Sequence, residues 1–98
     1  MTTGDMEIDR ELQHVLWACY EYSQREPFPP EPRSVCYTWV RRAYEKRFGC
    51  RFHQSKLSRL AKLGFLELEE TARAGHRRYY QLVDANQVRG LLEEWGLL

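Results

Sequence analysis

The apolar residues of this chain change their spacing at Gly64. Before it, in HQSKLSRLAKLG, Leu57, Leu60 and Ala61 recur as on one face of a helix, which predicts a helix over residues 54–63. After it, FLELEE alternates apolar and acidic residues, as a half-buried strand does. Glycine commonly ends helices because it adopts the left-handed conformation without strain. The pattern therefore predicts a helix that leads directly into a β-hairpin, and an α+β fold.

The returning strand of this hairpin lies in HRRYYQLVD. Between the two strands, TARAG ends in Gly75 and predicts a hairpin tip longer than the tightest turns. The whole hairpin would cover residues 65–83. Each strand would place two apolar side chains on one face, namely Leu66 with Leu68 and Tyr80 with Leu82.

Three further helices are predicted from apolar residues at helical spacing. A residue suited to N-capping precedes each of them. They cover residues 6–24 after Asp5, residues 35–48 after Ser34 and residues 85–95 after Asp84. The expected inward face of the second is formed by Cys36, Trp39, Val40 and Ala43.

All four prolines of the chain lie in PFPPEPR, residues 27–33. This segment cannot be helical, since proline lacks the N–H and clashes with the preceding turn. It is also too short for a linker between domains. A chain of 98 residues fits one domain, so we expect residues 1–98 to form a single domain with a proline-rich connector after its first helix.

The residue types needed for catalysis or metal binding do not come together in the sequence. Cys50 and His53 have the spacing C-x-x-H, but no second close pair accompanies them, and structural zinc takes four ligands in two such pairs. We find no nucleophile with an adjacent base, no glycine-rich phosphate loop and no paired carboxylates. We therefore expect no enzyme activity, no metal and no cofactor.

The sequence also predicts the cellular compartment of the protein. No apolar stretch approaches the ~20 residues of a membrane span. The acidic N-terminus, MTTGDMEIDRE, lacks the basic and then apolar layout of a signal peptide. Three cysteines are an odd number, which fits reduced and mostly buried thiols. These features predict a cytoplasmic protein.

Charge is strongly segregated along the chain, although the net charge is only +1. Residues 1–32 carry seven acidic residues against two arginines. Residues 33–62 carry nine basic residues against one glutamate, and residues 73–78 carry three arginines and no acid. Such polarised charge is typical of surfaces that attract polyanions.

The order of helix, connector, helix, helix and basic hairpin resembles the winged helix-turn-helix superfamily. Two passages carry the resemblance: SKLSRLAKLGFLELE is similar to a recognition helix that runs into the first wing strand, and AGHRRYYQLVD to a returning wing strand. With the second helix they cover residues 34–84, about half of the chain. The closest likeness is to small prokaryotic regulators of the PadR and MarR type, which implies binding of double-stranded DNA and regulation of transcription. The chain departs from them in its proline-rich connector, its short wing and the lack of a recognisable effector-binding segment.

The polar side of helix 54–63 is suited to DNA because a helix fits the major groove when one side is docked on a core and the other is free. Its residue types donate to phosphates and to base edges. The hairpin would contact the backbone or the minor groove, and the second helix would flank the groove. The candidate contacts are Gln54, Ser55, Lys56, Ser58, Arg59 and Lys62 in the recognition helix, Arg73, His76 and Arg77 in the wing, and Arg41, Arg42, Lys46 and Arg47 in the second helix.

Several alternatives remain open from the residues alone. The chain could be a protein-interaction adaptor that uses its acidic first helix, or an accessory DNA-binding domain in phage or plasmid replication. Basic residues paired with acids would favour the adaptor, and one continuous basic patch would favour DNA. The last helix could form a symmetric homodimer with the first, or dock on the protein's own core, through the stripe Val88, Leu91, Leu92 and Trp95.

Overall fold

The computed structural model of the chain describes residues 8–24, 35–68 and 79–98. Four helices and an antiparallel two-stranded sheet occupy these ranges, which confirms the predicted α+β class and is compatible with a winged helix. Predictions for the proline connector, for the N-caps Asp5 and Ser34 and for the hairpin tip at Gly75 lie outside them. The elements are α1 (Arg10–Ser23), α2 (Tyr37–Phe48), α3 (Ser55–Lys62), β1 (Leu66–Leu68), β2 (Tyr80–Leu82) and α4 (Ala85–Glu94).

The first helix begins at Arg10, so its predicted start at residue 6 is wrong. Asp9 is the N-cap, with extended backbone angles and a side-chain Oδ1 that accepts a hydrogen bond from the Leu12 N–H at 2.8 Å. A carboxylate at this position satisfies an N–H that has no partner inside the helix. Helical periodicity cannot distinguish this cap from an earlier one.

The second helix begins at Tyr37, two residues later than predicted. Val35 is paired with Tyr80 in an isolated antiparallel bridge, with hydrogen bonds of 2.8 and 2.9 Å in the two directions. Because its N–H and C=O are engaged by the sheet, Val35 cannot open a helix. Val35 therefore lies beside β2, on the side away from β1.

The third helix ends at Lys62, and Gly64 follows with a φ of 95°. The Gly64 N–H donates to the Ala61 carbonyl at 3.1 Å, and the Phe65 N–H donates to the Leu60 carbonyl at 3.0 Å. This pair of bonds is a Schellman motif, which satisfies the last carbonyls of a helix and needs a left-handed residue. The predicted stop at Gly64 is confirmed.

The two strands pair antiparallel, with Leu66 opposite Leu82 and Leu68 opposite Tyr80. Leu66 and Leu68 were predicted on one face of the strand, and along that face Leu66 is 2% exposed whereas Leu68 is 53% exposed. Helices α3 and α1 pack against the hairpin. Alternation assigns a side chain to a face, whereas burial also needs a helix opposite that position.

The last helix is capped by Asp84, whose Oδ1 accepts from the Gln87 N–H at 3.1 Å, as predicted. Val88 and Leu92 are both 0% exposed and belong to the protein's own core. The homodimer prediction is therefore wrong for these two residues, because docking against α1 already covers them. Leu91 and Trp95 are half-buried.

One hydrophobic core joins all the elements and determines which faces remain outside. Tyr44 and Phe52 belong to it although the apolar pattern did not predict them, and Trp39, predicted inward, is only half-buried. None of the helices in the described ranges has the length and apolar character that a membrane crossing requires. The fully buried side chains include Val15, Leu16, Val35, Val40, Leu57, Leu60, Val88 and Leu92.

Candidate nucleic-acid interface

Two buried leucines hold α3 on the body of the protein. Leu57 is 1% exposed and Leu60 is 0% exposed, and the helix packs against both α1 and β1. With these residues anchored three positions apart, the opposite side of the helix has to face solvent. Gln54, Ser55, Arg59 and Lys62 are accordingly exposed, and Lys56 and Ser58 are half-buried.

The outward side of α3 forms one wall of a groove of about 330 Å³. Asp9, the N-cap of α1, and Leu12 in its first turn line the other wall, because α1 packs beside α3. The structure thus brings most of the predicted recognition-helix residues to one surface. Those that line the groove are Ser55, Lys56, Ser58, Arg59 and Lys62.

His53 caps the start of α3 with its side chain. Its Nδ1 accepts a hydrogen bond from the Ser55 N–H at 3.1 Å and lies 2.9 Å from the Ser55 Oγ. An acceptor at Nδ1 carries no proton, so any ring proton of the neutral imidazole is on Nε2. The Lys56 and Leu57 N–H groups donate to the carbonyls of His53 and Gln54. These bonds fix the first turn, where a recognition helix approaches base edges.

Lys56 forms an ion pair with the first helix. Its Nζ lies 3.2 Å from the Oε1 of Glu11, and the two side chains are 29% and 41% exposed. The pair spans the junction of α1 and α3 at the groove. Lys56 is therefore positioned on the predicted face, but its charge is partly neutralised by an acid of the same chain.

Arg41 and Arg42, two of the three arginines predicted as contacts on α2, differ in their surroundings. The Arg41 guanidinium lies 5.8 Å from the centre of the Tyr37 ring, and the Tyr37 hydroxyl donates to the Phe52 carbonyl at 2.8 Å. Arg41 is thus on the side of α2 that faces the turn leading into α3. Its Nε is buried and has no hydrogen-bond partner within the described ranges. Arg42 is exposed on α2.

The other basic residues near the end of α2 are engaged elsewhere, apart from the exposed Lys46. The Arg47 guanidinium lies 4.5 Å from the centre of the Trp17 ring, and its Nη1 donates to the Leu97 carbonyl at 3.1 Å. Arg51 pairs with Glu45 at 2.9 Å. Arg47 therefore joins α2 to α1 and the C-terminus and does not line the groove beside α3.

The hairpin strands adjoin α3. Ser58 Oγ lies 3.5 Å from the Tyr80 hydroxyl, at the limit of a hydrogen bond, and Leu66 and Tyr80 are both buried. The two described strands therefore adjoin α3. The predicted wing contacts Arg73, His76 and Arg77 lie outside the described residues.

The cysteines offer no reactive centre in the core. Cys19 and Cys36 are buried free thiols, and burial raises the pKa of the Cys19 thiol, which keeps it protonated and unreactive. Cys50 is free and exposed. Within the described ranges, no three residues of the metal-binding types cluster closely enough to hold an ion.

The comparisons with known proteins leave the site to be judged from its own geometry. No family model matches the chain, and neither a curated protein nor a solved structure matches it. Sequence reasoning missed Asp9 and Glu11 as neighbours of α3. The acidic charge of the first segment was the available signal, but its position against α3 depends on the tertiary packing of α1.

Proposed function

We propose that this chain is a winged-helix protein that binds double-stranded DNA with α3 in the major groove. The observation that carries the proposal is the polarity of α3: Leu57 and Leu60 anchor one side, while five polar residues of the other side line a single open groove. A short helix of about this length, docked by its apolar side, is the element that such proteins insert into DNA.

The arrangement of the other elements supports the winged-helix part of the proposal. The chain runs from α1 through the bridging residue Val35 to α2, α3 and the hairpin. Val35 beside β2 supplies the third strand position that winged helices place between their first two helices. Tyr80 joins this strand position, the hairpin and α3, since it pairs with Val35 and its hydroxyl approaches Ser58.

The residue types of α3 suggest separate roles in the complex. Gln54 at the N-cap position is exposed at the end that meets base edges, and its amide can form two hydrogen bonds with adenine. Ser55, Lys56 and Ser58 are suited to backbone phosphates. Arg59 and Lys62 can donate to phosphate or to guanine. From the sequence, Arg73, His76 and Arg77 would place a basic wing on the neighbouring backbone or minor groove.

Regulation of transcription is proposed on the resemblance to PadR- and MarR-type regulators alone. One observation favours the adaptor as a second candidate: the ion pair of Lys56 with Glu11 satisfies part of the basic face internally. An adaptor would retain its fold without measurable affinity for DNA, so one experiment separates the two functions.

The test is fluorescence anisotropy of a labelled random-sequence duplex at low salt. Wild type is compared with Lys56→Ala plus Arg59→Ala, and with Arg89→Ala as the control. Arg89 is an exposed cation of α4 that pairs with Glu93 at 3.5 Å, so its loss changes charge without changing α3. We expect the double variant to weaken binding about tenfold or more, and the control to bind nearly as wild type does. Absence of binding by wild type, or equal binding by the double variant and the control, would overturn the proposal.

A further inference from the structure

The ion pair between α1 and α3 has a specific position on the proposed DNA face. Glu11 lies in the first turn of α1, and its carboxylate is 3.2 Å from the Lys56 ammonium. Lys56 itself lines the groove whose other wall holds Asp9. Both side chains are partly exposed, so solvent and an incoming polyanion can reach the pair.

We infer that Glu11 is an intramolecular competitor for a DNA phosphate at Lys56, and that it lowers the affinity of α3 for DNA of any sequence. The inference rests on the proposed function and assigns a regulatory role to a residue of α1. A carboxylate and a phosphate oxygen are alternative acceptors for the same ammonium group. DNA binding therefore either breaks the pair or brings a phosphate close to a carboxylate.

The two cases have the same measurable consequence. If Lys56 leaves Glu11, the gain from the phosphate contact is offset by the lost ion pair. If Lys56 stays, it releases no counterion from the DNA, and the Glu11 carboxylate repels the nearest phosphate. In both cases removal of the carboxylate strengthens binding. The effect is independent of sequence because it acts on the backbone, so it lowers the affinity for every DNA site by about the same factor.

Glu11→Gln removes the charge while it keeps the size of the side chain. Glu93→Gln is the matched control, because Glu93 is also an exposed helix acid in an ion pair, with Arg89 of α4, and its loss changes the net charge equally. Lys56→Ala and the double variant Glu11→Gln plus Lys56→Ala complete the set. Glu11→Ala serves as a second removal of the carboxylate, and circular dichroism melting checks that each variant is folded.

The variants are titrated with the random-sequence duplex by anisotropy at several salt concentrations. Relative to Glu93→Gln, we expect Glu11→Gln to bind about two- to fivefold more tightly at low salt, the range given by the strength of an exposed ion pair. Its log–log salt slope should become steeper by up to about 0.9, the contribution of one more phosphate contact. In the Lys56→Ala background, Glu11→Gln should give a smaller gain.

The outcomes separate this inference from the proposed function. If wild type binds DNA and Glu11→Gln binds no more tightly than Glu93→Gln, the inference is overturned and the proposed function stands. A gain of the same size with and without Lys56 also overturns it, since the carboxylate would then act only through general charge. If no variant binds DNA, the proposed function itself fails.

Discussion

Val35 and Tyr80 exchange both of their backbone hydrogen bonds, at 2.8 and 2.9 Å, and thereby join the chain two residues before α2 to the second strand of the hairpin. The Tyr80 side chain is 4% exposed within the core, and its hydroxyl lies 3.5 Å from Ser58 Oγ of α3. Position 80 therefore connects the start of α2, the hairpin and α3. The stability of the domain should depend strongly on the Tyr80 ring and only weakly on its hydroxyl.

Replacement of Tyr80 by alanine should lower the free energy of unfolding by about 3 kcal/mol or more, because it leaves a cavity among buried side chains. Tyr80→Phe keeps the ring and loses only a long hydrogen bond. We therefore expect this variant to lower the free energy of unfolding by less than about 1 kcal/mol. Urea denaturation followed by tryptophan fluorescence measures both. Equal losses for the two variants would contradict this prediction, since they would assign the stabilisation to the hydroxyl and not to the ring.

The same substitution at two glycines should change stability in opposite directions. An added Cβ meets nothing within 4 Å at Gly64 or at Gly90, so steric contact does not distinguish them. Gly64 has a φ of 95°, at which alanine is strained. Gly64→Ala should therefore lower the free energy of unfolding by about 1–2 kcal/mol. Gly90 lies inside α4, where Gly90→Ala should stabilise by about 0.5–1 kcal/mol. Thermal melts of both variants test this, and a stabilised Gly64→Ala would contradict the Schellman motif.

The N-cap of α1 gives a prediction that distinguishes capping from charge. Asp9→Ala removes the acceptor of the Leu12 N–H and should destabilise by about 1 kcal/mol. Asp9→Ser keeps a capping oxygen without the charge, so most of this loss should be avoided. Chemical denaturation of the two variants measures the difference. If serine were as destabilising as alanine, the carboxylate would act through its charge and not as a cap.

Stability should decrease as the pH falls below 6.5, in part because of His14. Its ring is stacked on Phe48 with centroids 4.0 Å apart. Burial lowers the pKa of His14 below its ordinary value of 6.5, and the nearby charges of Arg10 and Arg47 lower it further. The unfolded chain therefore takes up a proton at a higher pH than the folded chain. This penalty is absent well above pH 6.5 and grows until the pH reaches the pKa of the folded state.

His14→Gln should reduce this pH dependence, because glutamine does not titrate. Urea midpoints at pH 7.5 and pH 5.5, compared between wild type and His14→Gln, measure the contribution of the imidazole. We expect a smaller drop between the two pH values in the variant. An unchanged drop would assign the effect to other groups.

The parts of the fold that the sequence predicted are those determined by local chemistry. The change in the spacing of apolar residues at Gly64, together with the glycine itself, predicted the end of α3. Asp84 predicted the start of α4. The beginnings of α1 and α2 were predicted too early. Asp9 is preceded by residues of similar helical pattern, and the engagement of Val35 depends on Tyr80, which is 45 positions further along the chain. The residues around Val35 do not indicate that it pairs with Tyr80.

The same distinction between features set by local sequence and features set by tertiary packing applies to the candidate site. The outward side of α3 followed from the positions of Leu57 and Leu60, and the groove lined by its polar residues agrees with that prediction. The pairing of Lys56 with Glu11 and the position of Arg47 at Trp17 could not be predicted from spacing. Both depend on how α1 lies against the other helices, which is decided by core packing and not by the charged residues.

The most direct test of DNA binding through α3 is the salt dependence of the affinity for a random-sequence duplex. We predict that log Kd rises linearly with log salt concentration and that Lys62→Ala lowers the slope by about 0.9, the value for one lost phosphate contact. Arg89→Ala, on α4, should leave the slope unchanged. An affinity that does not vary with salt, or equal slopes for wild type and Lys62→Ala together with equal affinities, would contradict the proposal that α3 is the surface that binds DNA.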